Sequence, residues 1–559
     1  MDNFISFIII AILFSPVISA IGILSSFKKL DFYIYKISVF FSYLTLFFSF
    51  CVLVLFFSSH IGSISIFDST IFALYITPLS VVVTFFVSLV SLVIHLYSVK
   101  YMYDDEGYVR YFVLLDLMIF VIFGLLNVGN IILIAGFWHM MGVVLYFLLV
   151  HNFRNKQTCR FGFYTLFTHL LADIPFLLAT YLIYNFYHTA DLRVFLDMVS
   201  NQKELFFGAT SISIPSVIAL LIIFAAIIKS AQFPFHIWLP FTLEGPNPIS
   251  ALMHAGIVNA GAFIANRFAP VFLHGSVALH VALVVGFITA ILGSSMMLMQ
   301  NDIKKALAYS TVGQMGYMML EVGSGAFALA IYHMMVHGIF KASLFLGSGG
   351  AIHEARNEAN IVDKSIFDFF FSKSKYKKPS IFEYIFFVLL LPMGVAFLLF
   401  SPLLKENSLQ STMLFYLFAW TGGAQAIYSM YHSHKRVKAL IYTTLGFALC
   451  LFVYVEVEHF FGSILYVRSS ISASLFHAAS WGDALFFMYY GIAFAIVVFS
   501  WLFLYQKLLS QKSVFSKFGD LYDFVYRIFG REFYILDFSS YISKKLSNLA
   551  SAINQKVKY

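Results

Sequence analysis

Apolar residues run along this chain in blocks of membrane-spanning length, not in the short alternations of a soluble fold. One block covers Phe4 to Leu24, and another covers Val217 to Ile228 and stops at a lysine. A helix needs about 20 apolar residues to cross a bilayer, and roughly fifteen such blocks can be counted. The pattern predicts an all-α polytopic membrane protein of about 15 transmembrane helices with short connections. After Gln506 the blocks cease. Leu521, Phe524, Val525 and Ile528, then Phe538, Ile542, Leu546, Leu549 and Ile553, recur at helical spacing instead. That spacing predicts two amphipathic helices lying on the membrane surface or against a partner. The chain then divides into helices 1–3 (residues 1–110), helices 4–8 (111–270), helices 9–13 (271–430), helices 14–15 (431–506) and an amphipathic cytoplasmic tail (507–559).

Composition agrees. Of 559 residues, 61% are apolar and 11% charged, against about 45–50% and about 25% in a soluble protein. No sizeable soluble domain fits between the blocks, so chemistry in a water-filled active site would fall to a partner chain. The first block has no basic segment before it and is long enough to span, so it reads as a helix and not as a cleaved signal. Cys51, Cys159 and Cys450 are far apart, without metal-ligand spacing, and read as small packing residues.

The formal charge of +8 is a statement about topology, not about nucleic acid, for which nothing in the chain argues. Lys28-Lys29, Lys100 with Arg110, and Arg154, Lys156 and Arg160 fall on one side under the fifteen-span count. So do Lys304-Lys305, Lys373 to Lys378, His434 to Lys438 and the nine basic residues of the tail. Loops on the other side, such as Ser58–Ser69 and Glu458–Ser480, carry few positive charges. Positive loops stay cytoplasmic. The N-terminus is therefore expected to be periplasmic and the C-terminus cytoplasmic, in a bacterial inner membrane.

Against this apolar background the ionisable residues stand out. Lys229 ends its block and is followed by Ser-Ala-Gln-Phe-Pro-Phe-His. A lysine at the centre of a membrane helix costs about 2.5–3.5 kcal/mol on insertion scales and is read first as functional; the alternative is a lysine snorkelling to the headgroups. Lys341 follows His333 and His337 at four-residue intervals, on one helix face. Lys405 follows Ser401-Pro402. Pro234, Pro240 and Pro402 interrupt the helices near these lysines, as in transporters whose broken helices mark the site. Histidine titrates in the physiological range and suits a relay, although a lone membrane histidine is more often a packing residue. Gly347-Ser-Gly-Gly lacks the strand–loop–helix setting of a phosphate cradle. No haem, flavin, iron–sulfur or nicotinamide motif is present, and no cofactor is expected in this chain.

The run Lys229 to Pro240 with Glu244-Gly-Pro-Asn-Pro-Ile-Ser-Ala-Leu-Met-His254, the segment Asp302-Ile-Lys-Lys-Ala-Leu-Ala-Tyr309 to Tyr317, and the histidine–lysine segment ending at Lys341 resemble the antiporter-like subunits of respiratory complex I and of multisubunit sodium/proton antiporters. Tyr101-Met-Tyr-Asp-Asp-Glu-Gly-Tyr-Val-Arg-Tyr-Phe112 fits the same family's large-subunit branch. The likeness covers roughly residues 75 to 405. Within the superfamily, His254-Ala-Gly-Ile-Val-Asn-Ala-Gly to Pro270 and Gly347 to Arg356 resemble the DabB-type membrane subunit of the two-component inorganic-carbon transporter. The long lateral helix and further span of complex I subunit L are not expected after Gln506.

The resemblance implies two inverted five-helix repeats, helices 4–8 and 9–13, each with a broken helix. It implies an acid near the first-half lysine, matched by Asp173, which would form either a coupled titrating pair or a static ion pair with it. It also implies a central polar line of His254, His333, His337 and Lys341 toward Lys405. The family's glutamate after tryptophan on span 5 is replaced here by His139, so that either His139 titrates in its place or the first half-channel is altered. Three readings follow. The first is a proton- or sodium-conducting subunit driving CO2 hydration and bicarbonate accumulation by a large, zinc-containing, carbonic-anhydrase-like partner (DabA type). The second is a proton-pumping subunit L of an NADH-quinone oxidoreductase or related respiratory complex. The third is a structural anchor whose channel is lost.

Overall fold

The computed structural model describes residues 2–26, 34–59, 61–67, 71–201, 205–206, 212–298, 300, 302–357, 386, 390–400, 410, 413, 416–417, 436–466, 469–509, 527 and 545. Among them, nine helices are long and apolar enough to cross a membrane. Lys405, the segment around Lys373 to Lys378 and nearly all of the predicted tail lie outside the described residues.

Helices α1 (Asp2–Ser26), α2 (Ile34–Ser58), α3 (Pro78–Tyr101) and α4 (Tyr108–Asn127) pack together at the N-terminal end. An addition to the all-α expectation joins α2 to α3: a hairpin of two three-residue strands, β1 (Ile64–Ile66) and β2 (Leu74–Ile76), with Ile64 opposite Ile76. Helix α3 starts on a capping box, in which the Thr77 side chain accepts from Ser80 N and the Ser80 side chain accepts from Thr77 N. Helices α5 (Ile131–Leu149) and α6 (Lys156–Tyr187) follow, opened by Asn130 and Asn155, whose side chains accept from the free amides of the first turn. A short amphipathic α7 (Leu192–Asn201) leads to α8 (Ile214–Lys229).

Helix α8 is the first break. Its 16 residues extend about 24 Å, short of a hydrocarbon core of about 30 Å, so the helix ends at Lys229 within membrane depth. Backbone groups freed at such a point must find partners inside the protein. Here Gln232 N donates to Ile227 O at 3.0 Å, Phe233 N to Thr289 Oγ1 at 3.0 Å, and Gly261 N to Ser230 Oγ at 3.1 Å. The chain resumes as the single turn α9 (Trp238–Phe241), then α10 (Asn247–Ala255) and α11 (Ala260–Arg267). A 3-10 turn over Ile257–Asn259 separates these last two. Arg267, buried at the end of α11, donates to Tyr75 O at 2.6 Å and Thr77 Oγ1 at 3.1 Å, tying that end to the hairpin and to α3.

Helices α12 (Ser276–Leu298) and α13 (Ile303–Gly323) lie backbone to backbone. A Cβ at Gly293 would sit 2.4 Å from Gly313 N, and one at Gly316 2.4 Å from Ala290 N. Only glycine permits that approach, the usual device for close helix contact in lipid. Helix α14 (Phe327–Asn357) crosses α13 and α10. Helices α15 (Leu391–Phe400), α16 (Arg436–Leu465), α17 (Ser469–Ala478) and α18 (Asp483–Leu509) complete the described fold.

Candidate functional site

Three helices deliver side chains to the end of α8. The Lys229 side chain is wholly buried. Its Nζ donates to Trp138 O and stands 4.1 Å above the Trp138 ring, a cation–π placement. It lies 3.8 Å from Asp173 Oδ1, on α6. The other carboxylate oxygen, Oδ2, is 2.8 Å from His139 Nδ1, on α5. One buried carboxylate thus stands between Lys229 and His139. His139 is not sequestered: its side chain is 45% exposed, on the outer face shared by α5 and α6.

One turn before Asp173 on the same helix, His169 is buried, with neither ring nitrogen hydrogen-bonded and its ring 4.7 Å edge-on from Trp238. Lys229 acts on it electrostatically. The i, i+4 relation of His169 to Asp173 was the signal available in the sequence. Across the break, His236 is also buried with both nitrogens open, stacked on Phe233 and 6.5 Å from Tyr309. Gln232 Nε2 donates to Met315 O at 2.7 Å, joining the break to α13.

The second cluster lies on α13 and α14. His333, His337 and Lys341 share a face, as their spacing predicts. His333 Nδ1 is 3.0 Å and 3.1 Å from the two Glu321 oxygens, and its Nε2 is 2.9 Å from Gln314 Oε1. Glu321 and Gln314 were not singled out from the sequence. His337 is buried with both nitrogens open, 6.4 Å ring to ring from His333. Lys341 is 1% exposed and donates from Nζ to Leu307 O at 3.1 Å. His254, at the break between α10 and α11, stacks on Phe345 at 4.2 Å with both nitrogens open, within electrostatic reach of Lys341.

The structure therefore groups Lys229, Asp173 and His139 in one cluster and His333, His337, Lys341 and His254 in another. Neither lysine snorkels. Buried imidazole nitrogens without protein partners recur at His169, His236, His254 and His337. Such groups are costly when dry.

Residues 128–419 match the family described as NADH:quinone oxidoreductase/Mrp antiporter, TM. Residues 67–112 match the N-terminus of NADH-ubiquinone oxidoreductase (complex I) chain 5. The chain is 39% identical over 474 residues to the probable inorganic carbon transporter subunit DabB1 of Halothiobacillus neapolitanus, covering 83% of this chain and 84% of the relative. It is 38% identical over 269 residues to NADH-quinone oxidoreductase subunit L of Neisseria meningitidis, covering 47% of this chain and only 40% of that protein. The fold resembles the Mrp complex from Dietzia sp. with a TM-score of 0.57 at 20% identity, over 99% of this chain and 63% of the other. It resembles an archaeal membrane-bound sulfane sulfur reductase with a TM-score of 0.55 at 17% identity, over 90% and 96%.

Proposed function

Because the chain belongs to the DabB-type branch of the NADH:quinone oxidoreductase/Mrp antiporter family, a multi-pass, cation-translocating membrane subunit, we propose that it conducts protons or sodium ions to power inorganic-carbon uptake. Downhill cation entry through the lysine line drives a partner subunit that hydrates CO2 and accumulates bicarbonate. The partner is a large, zinc-containing, carbonic-anhydrase-like chain of the DabA type, and the work is done at a bacterial inner membrane with the N-terminus periplasmic and the C-terminus cytoplasmic. On this reading the hydration chemistry and its zinc belong to the partner.

The observation that supports this reading most directly is the shared carboxylate. Asp173 holds Lys229 at 3.8 Å and His139 at 2.8 Å. A proton arriving on His139 competes for Asp173 and loosens its hold on Lys229, which is then free to pass its own proton toward His169 or His236. In such a coupled set each charge event biases the next. Release of the His139 proton and return of a proton to Lys229 restore the pairing with Asp173. His139 thereby stands where the family's glutamate stands, with its titration in place of the carboxylate's. The second cluster repeats the logic, with Glu321 held by His333 and Lys341 two turns along α14, toward Lys405.

Purifying the chain from its native membrane tests the reading. A stoichiometric zinc-bearing partner, with bicarbonate accumulation that an uncoupler abolishes, is the expected result. Flavin- and iron–sulfur-bearing subunits in its place would contradict it and establish the respiratory alternative that the similarity to subunit L favours. A reporter fused to the C-terminus should report cytoplasm.

A further inference from the structure

Helices α1–α4 hold a second set of buried ionisable groups. His95 on α3 and Asp116 on α4 are 1% and 2% exposed, with His95 Nε2 3.1 Å from Asp116 Oδ1. Ser19 of α1 donates to Oδ2 at 2.6 Å, and Ser38 of α2 lies 3.0 Å and 3.1 Å from the two oxygens. Four helices converge on one carboxyl group. Neutral hydrogen-bonding groups would tie helices together at less cost, and an ionisable pair at this depth points to function.

The histidine fixes the proton count. Its Nδ1 lies 2.7 Å from the carbonyl oxygen of Ser91. A carbonyl only accepts, so Nδ1 carries a hydrogen. One further proton then lies between Nε2 and Oδ1, making the pair either imidazolium and carboxylate or imidazole and carboxylic acid. Loss of that proton leaves an uncompensated buried charge, so the pair holds one transferable proton.

Polar groups lead away from the pair in both directions. Along α2, Ser38, Ser42, Thr45 and Ser49 all face inward at helical spacing, and Thr45 bonds Ser15 of α1 at 2.6 Å. Beyond Ser49 is a cavity of about 10 Å³ that it lines with Thr84 and Asn127 among apolar side chains, room for about one water. In the other direction Ser98, one turn from His95, bonds the Tyr111 hydroxyl at 2.7 Å. The Tyr111 ring is edge-on to His151 at 6.0 Å, and His151 Nε2 is 2.7 Å from Asp105 Oδ1 in the loop between α3 and α4. Burial alone would raise Asp105, but the His151 hydrogen bond, the Gly107 amide and the charges of His151 and Arg110 outweigh it and hold the carboxyl below its usual range. The line thus ends on a charged, 40% exposed acceptor. Lys36 on α2 is exposed.

We propose that α1–α4 form a second proton path, with the His95–Asp116 pair as its proton-carrying site and the hydroxyl column as its connection to the far face. It rests on reading the chain as a cation conductor, but uses none of Lys229, Asp173, His333 or Lys341.

Proton flux driven by an imposed pH gradient is measured on the complex, with this full chain, reconstituted in liposomes. Variants are Lys229→Ala, Asp116→Asn and the double. The expected result is a residual flux in Lys229→Ala that Asp116→Asn lowers by about tenfold or more, the least that loss of a positioned proton-transfer group should cost. A residual flux unaffected by Asp116→Asn, or no residual flux at all, overturns the second path. Wild-type flux in Lys229→Ala would overturn the lysine line instead, and Asp116→Asn alone then tests the path on its own. If Asp116→Asn fails to assemble, His95→Gln gives the same reading. Failure of both to assemble marks the pair as a structural tie and also overturns the proposal.

Discussion

Lys229 and Lys341 are equally sealed from solvent, but they keep different company. Lys229 has its acid beside it, 3.8 Å away, and shares that acid with a half-exposed histidine. Lys341 has a backbone carbonyl, while the acid of its cluster, Glu321, is held by His333 on the preceding turns of α14. The first lysine is thus a member of a three-group charge set, and the second has no acid paired with it among the described residues. On the proposed reading the difference sets where coupling would reside: a proton event at His139 would reach Lys229 through one carboxylate, whereas an event at Glu321 would have to pass through His333 and His337 to reach Lys341.

Stability measurements separate the two. Removing Asp173 as Asp173→Ala leaves a buried ammonium without its anion, and should destabilise the detergent-solubilised protein by about 3–5 kcal/mol in thermal unfolding. Glu321→Ala removes a partner from a histidine that can remain neutral, and should cost about 1–3 kcal/mol. Equal losses would erase the distinction. A double-mutant cycle sharpens it. Lys229→Met with Asp173→Leu should recover most of the loss, ending within about 1 kcal/mol of the wild type, since a buried pair replaced by apolar groups is close to neutral. A double variant as unstable as the sum of the singles would mean that the two groups do not interact. Lys341→Met should cost the least, about 1 kcal/mol, because it breaks only a bond to a carbonyl. A loss as large as that of Asp173→Ala would reveal an anion beside Lys341.

Much of this arrangement was legible in the sequence, for physical reasons. Long apolar blocks leave little freedom but to span, so α1 to α6, α12 and α14 were readable by length and composition alone. Lys229 and the prolines after it marked the first break, and the spacing of His333, His337 and Lys341 placed them on one face. The interruption at Ile257–Asn259 was not legible, because no proline or charge flags it. Glu321 and Gln314 escaped because their meaning comes from a neighbouring helix, and sequence spacing is blind across helices. The His95–Asp116 pair escaped for the same reason, 21 positions apart in the chain. Asp116 could have been flagged by the test applied to Lys229, an ionisable group inside an apolar block.

The central claim is that buried lysines pass cations instead of only holding helices together. Cation flux through the reconstituted complex carrying Lys229→Ala, at wild-type assembly, tests it most directly. The account predicts a fall of at least about tenfold, a lower bound on the roughly 10²–10⁴-fold that a positioned proton-transfer group typically contributes. Flux equal to that of the wild type would contradict it.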